Sequence, residues 1–284
     1  MLLLVCAPFA IMVAGDAPHY SLRLQPSLSK PYSYSIQQSA VQELSEMGIV
    51  SGISTEADYH ILFQSKGKNF LTGEGTCSFA KNSLYGMSMA GIPDTTILHT
   101  NNSLYSDKIT VKNNGILINY VKENSRNFSV SNPTHESIIS TVFRGSTILC
   151  IPLPDSPVKV GETWKNEAEG LLGNLATPVS LQSQKALIEY TLVGIQDTLG
   201  VTCYVIDIQS KDFTIAQTLR QMNIDMSMEG TGMAKGRYFI HQTTGITIVG
   251  TMKIEADLGI AVKEQESSIA SMNITLYYSC KIKD

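Results

Sequence analysis

The stretch MNIDMSMEGTGMAKGRYFIHQTTGITIVGTMKIE, residues 222–255, decides the fold class. Met222, Ile224, Met226 and Met228 share one parity, and Asn223, Asp225, Ser227 and Glu229 share the other. That period of two belongs to a strand with one buried and one wet face. After Thr243-Thr244-Gly245 the alternation resumes, with Ile246, Ile248, Gly250, Met252 and Ile254 opposing Thr247, Val249, Thr251, Lys253 and Glu255. This second run pairs with Tyr238 to His241 as a hairpin. Gly230, Gly232 and Gly236 interrupt the pattern. A dinucleotide loop needs G-x-G-x-x-G between a strand and a helix. A strand follows here, so the glycines relieve crowding at a bulge or bend.

The same signal extends outward from this stretch. Met272, Ile274, Leu276, Tyr278, Cys280 and Ile282 lie on one side of a final strand, which turns Cys280 inward. Ile109 and Val111 lead into Asn113-Asn114-Gly115, a strong hairpin signal, and Ile116, Ile118 and Tyr120 follow it. Tyr32, Tyr34 and Ile36 begin an earlier strand, and Tyr59, Ile61 and Phe63 mark another. Such alternation predicts antiparallel sheets. A cap, a first-turn proline and a first-turn acid at Asn132-Pro133-Thr134-His135-Glu136 predict a helix from Pro133 to Arg144. Gln38 to Met47 and Phe213 to Met222 are too short for periodicity to assign.

The two halves read as weak copies of each other. Ser27, Lys30 and Tyr34 precede Ser156, Lys159 and Trp164 by 129, 129 and 130 positions, and Gly115 precedes Gly245 by 130. A Pro-rich joint, IPLPDSP, lies between them. The expected fold is mainly β: two tandem antiparallel units, residues 18–150 and 151–284, forming curved sheets or an incomplete barrel with one or two short helices.

Composition bounds the function. With 43% hydrophobic and 16% charged residues the 284-residue chain is globular in character. A net charge of -4 without a basic run speaks against nucleic acid. The apolar run MLLLVCAPFAIMVAG ends in small residues and reads as a signal peptide, residues 1–17. It is too short for a comfortable span, and no later stretch is apolar for long enough. Cys6 follows Val5 rather than a small residue, so it reads as an ordinary cysteine of that run.

Cys77, Cys150, Cys203 and Cys280 remain after processing, an even set that three disulfide pairings or four buried thiols would satisfy. None forms C-x-x-C, which removes the main support for zinc-ribbon and thioredoxin-like sites. Gly86-Met87-Ser88-Met89-Ala90 approaches a nucleophile elbow, yet no strand–turn–helix context surrounds Ser88. His19, His60, His99, His135 and His241 show no ligand spacing, and no carboxylate pair stands out. No catalytic set, metal site or cofactor motif emerges. The apolar parity of Met222, Ile224, Met226 and Met228 points instead to a pliable wall for a hydrophobic ligand, with core packing as the plain alternative.

LPDSPVKVGETWK (153–165), LRLQPSLSKPYSYSI (22–36) and GTGMAKGRYFIHQTTGI (230–246) resemble an uncharacterised family of secreted bacterial β-rich proteins. More distantly, the pattern is similar to periplasmic lipoprotein carriers of the LolA type, whose curved sheet encloses an apolar cavity. The resemblance implies export to the periplasm or beyond and a β-rich fold, and it assigns no activity. The reading favoured on the residues is a non-enzymatic protein that binds a hydrophobic small molecule or an envelope protein. A structural or interaction module of the envelope is the alternative. An envelope hydrolase using Ser88 and a histidine is the rival class.

Overall fold

A computed structural model describes residues 17–44, 49–87, 93–98, 104–123, 149–169, 185–221, 224–262 and 268–283. Twelve strands account for most of them: β1 (Tyr32–Leu44), β2 (Ile49–Ser65), β3 (Phe70–Met87), β4 (Pro93–Leu98), β5 (Leu104–Lys112), β6 (Leu117–Glu123), β7 (Thr163–Glu169), β8 (Lys185–Thr198), β9 (Val201–Gln221), β10 (Ile224–His241), β11 (Thr247–Val262) and β12 (Ser268–Ile282). Their lengths follow from the long alternating runs, which continue for 18 residues in β10 and 21 in β9. Both ambiguous segments are strand, β1 to Leu44 and β9 to Gln221. The helix expected from Pro133 to Arg144 lies outside the described residues.

All strands belong to one antiparallel sheet in the order β6-β5-β3-β2-β1-β12-β11-β10-β9-β8-β7, curved but not closed into a barrel. β4 extends β5 along the same neighbour, pairing with Asn82–Met87 of β3 while β5 pairs with Phe70–Ser78. The two halves of the chain meet where β1 and β12 pair, from Tyr34↔Ile282 to Leu44↔Met272. Read across the sheet, each half presents its strands in descending chain order. The glycine-spaced strand carries a bulge at Gly232/Ala234, where Gly232 faces the ring of Phe213, and a register shift against β11 at Phe239/Ile240.

The concave face carries the core. Tyr34, Ile36 and Ala40 of β1, Ala57, Tyr59, Ile61 and Phe63 of β2, and Ile274, Leu276, Tyr278 and Cys280 of β12 are buried at every second position. The opposite parity is wet, with exposed Glu56, Glu74, Lys108, Lys235, Arg237, Lys253, Glu255 and Asp257. Among the described residues no helix is long and apolar enough to cross a membrane.

Two irregular segments cross the end of the sheet where β5–β6 and β10–β11 turn. Leu22 and Leu24 from the first, and Leu149, Ile151, Leu153 and Val158 from the second, insert into the core. Leu24 N donates to Asn113 O and Gln25 N to Thr244 O, so the first segment grips both hairpins. Leu153 N donates to Asn114 O, and Thr247 Oγ1 to Leu149 O. Tyr20 and Val158 pair reciprocally and tie the segments together. Gly115 and Gly245, both at positive φ, bring their turns against the carbonyls of Ile151 and Arg23.

Candidate functional site

The strands place most of the buried aromatic side chains at the hairpin end of the concavity, while the far end mixes smaller and flexible side chains with Phe213 and Ile215. Near the turns lie Tyr34, Tyr59, Phe63, Tyr190 and Tyr238. Farther along the same faces come Ala40, Ala256, Leu258, Ala270, Met272 and Met228. The two plugging segments serve only the first end.

Of the residues expected to form an apolar wall, Met228 is 7% exposed and belongs to the core, on the parity that the alternation requires. Ile224 and Met226 stand on β10 by their backbone, and Met222 lies outside the described residues. Neither of two hollows lined by described residues touches Met228. One, of about 500 Å³, crosses the outer face beside Asp207, Lys235, Arg237, Lys253 and Tyr277. The other, of about 390 Å³, runs between Asn114, the Pro152–Val158 segment and Trp164. Trp164 is fixed there, stacked on Tyr190 at 5.7 Å with its Nε1 donating to Pro152 O.

Polar groups inside the concavity are few. Asp107, 3% exposed, accepts a hydrogen bond from the Tyr59 hydroxyl at 2.5 Å. Gly75 makes that pair fit, because a Cβ there would run into both groups. Gln38 is buried on β1 with neither amide atom bonded, and Ser210 Oγ is likewise unpaired. Sequence reading passed over Gln38, although its signal is plain: it takes the inward parity between Ile36 and Ala40. Asp107, on the inward parity of Ile109 and Val111, carries the same signal.

Cys77, Cys150, Cys203 and Cys280 are all free thiols in this structure. Burial pushes the thiols of Cys150 and Cys280 up to about 12, with Asp107 adding to the first and Cys150 to the second, against a Gly250 backbone hydrogen bond that lowers Cys280. Burial also raises Cys77, helped by Asp107 and Asp58. Such thiols are poor nucleophiles at neutral pH, because the thiolate is the reactive form.

The histidines do not converge among the described residues. His60 bonds Ser33 on the outer face, and His241 Nδ1 meets the Thr244 amide and hydroxyl within its own turn. His99 and His135 lie outside the described residues, as does Ser88, one residue beyond β3. No group of three or more metal-ligating side chains occurs among the described residues.

No family model matches the chain, and no curated protein matches it. Two solved structures align over most of its length. The β domain of the Bordetella autotransporter BrkA is 8% identical at a TM-score of 0.29, covering 89% of this chain and 99% of that one. A DUF1329 family protein from Desulfovibrio piger is 9% identical at a TM-score of 0.18, covering 88% of this chain and 85% of that one. Likenesses this weak carry no argument about fold or function.

Proposed function

We propose that the chain is an exported, non-enzymatic protein that holds a hydrophobic ligand against the concave face of its sheet, at the end away from the hairpin turns. The observation that carries this reading is strand number against filling. Eight strands close around an interior that their own side chains just fill, and the width grows with strand number. Here eleven strands lie side by side in an open, curved sheet, with β4 end to end with β5. The extra material at the hairpin end is supplied by Leu22, Leu24, Leu149, Ile151 and Leu153. No described segment does the same at the far end, where Met228 and Met272 offer thioethers that repack cheaply around a flexible chain.

Export rests on the apolar run within residues 1–17, and a periplasmic or extracellular location follows from it. The charged outer face supports a protein that carries its ligand through water. The protein, purified without detergent, should release an apolar small molecule into organic solvent at close to one equivalent per chain, detected by mass spectrometry. Protein that releases none, and takes none up from added lipid, would refute the reading.

A further inference from the structure

Gln38 is 2% exposed, and neither its Oε1 nor its Nε2 has a hydrogen-bond partner. Its parity with Tyr34, Ile36 and Ala40 turns it into the concavity. In register it lies opposite Thr55 on β2 and Tyr278 on β12, with Met252 of β11 next in the row. A glutamine amide presents two donors and an acceptor. Burying all of them unpaired is among the costlier defects a core can hold, whereas an apolar residue of the same length would satisfy the position at once.

We infer that Gln38 is the polar anchor of the ligand site, and that it selects an uncharged amphiphile whose alkyl chain ends in a group able both to donate and to accept a hydrogen bond. This rests on the ligand-binding reading above and narrows it. The exclusion of charge follows from the surroundings. The residues beside Gln38 in its row, Thr55, Tyr278 and Met252, carry no charge, so a carboxylate or phosphate head would enter there without a countercharge. An alcohol or amide head does not meet that cost and completes the amide of Gln38. Half-buried Met252 gives the neighbouring wall a side chain that can move aside for the head group.

The test is displacement of N-phenyl-1-naphthylamine from the delipidated full chain by lauryl alcohol and by laurate, at mildly alkaline pH where laurate is ionised. The alcohol should displace the probe at a concentration about tenfold lower than laurate. In Gln38→Met that preference should vanish, with displacement by each ligand read against the variant's own affinity for the probe, and the ligand-free variant should melt above the wild type, because the unpaired amide is gone. Equal displacement by both ligands in the wild type, or a preference that survives in Gln38→Met, would overturn the role of Gln38 and leave the ligand-binding reading standing. A chain that binds neither probe nor amphiphile overturns both. Should Gln38→Met not fold, Gln38→Leu replaces it, and the comparison of head groups in the wild type decides without either variant.

Discussion

Tyr34, Tyr190 and Tyr238, with Cys77, Cys150 and Cys280, are acids that the fold keeps neutral, chiefly because burial disfavours their charged forms. Their folded-state values lie above those of the unfolded chain. The stability they contribute is therefore complete below the unfolded values, about 8.5 for Cys and about 10 for Tyr, and is lost as pH climbs from there toward the folded ones. For Cys150 and Cys280 that upper end is about 12. The melting temperature should hold steady up to about pH 8 and fall steeply above about pH 9. A melting temperature unchanged into strong alkali would show that these groups are hydrated. At this scale the inward phase of Cys280 was legible in the alternation of β12. The absence of any partner for Gln38 was not, because it depends on which residues other strands bring opposite.

The hairpins were the most legible elements, since Asn113-Asn114-Gly115 and Thr243-Thr244-Gly245 act through local backbone preference. What those turns touch was not legible. Residues 20–25 and 149–158 alternate only briefly, at Leu22 and Leu24 and at Leu149, Ile151 and Leu153, and their attachment to the hairpins is visible only in three dimensions. This contrast predicts two different costs for one substitution. Gly200 and Gly245 both hold positive φ, 78° and 68°. A Cβ at Gly200 meets open space, so Gly200→Ala should cost only the left-handed backbone penalty, about 1 kcal/mol. A Cβ at Gly245 would collide with the Arg23 carbonyl, and Gly245→Ala should cost about 3 kcal/mol or more in urea unfolding. Equal costs would mean that the 20–25 segment does not bear on the turn.

For the whole molecule, strand class and alternation were readable from parity, but strand order was not, because nothing local tells β1 to pair with β12. That seam joins the two halves into one sheet, and a tandem duplication of residues 18–150 and 151–284 stays a proposal beside it. The pairing also gives the concave face its span and leaves the outer face charged, so the account stands or falls on which face meets the ligand. Two methionines of β10 separate the faces: Met228 is buried in the concavity, whereas Met233 is 42% exposed outside. The direct test is a binding isotherm of N-phenyl-1-naphthylamine on the wild type, Met228→Asp and Met233→Asp, with circular dichroism confirming that each folds. An unpaired carboxylate in an apolar site costs several kcal/mol, so saturable binding should be present in the wild type, lost in Met228→Asp and intact in Met233→Asp. Binding that is absent in the wild type, or that both substitutions affect alike, would contradict the account.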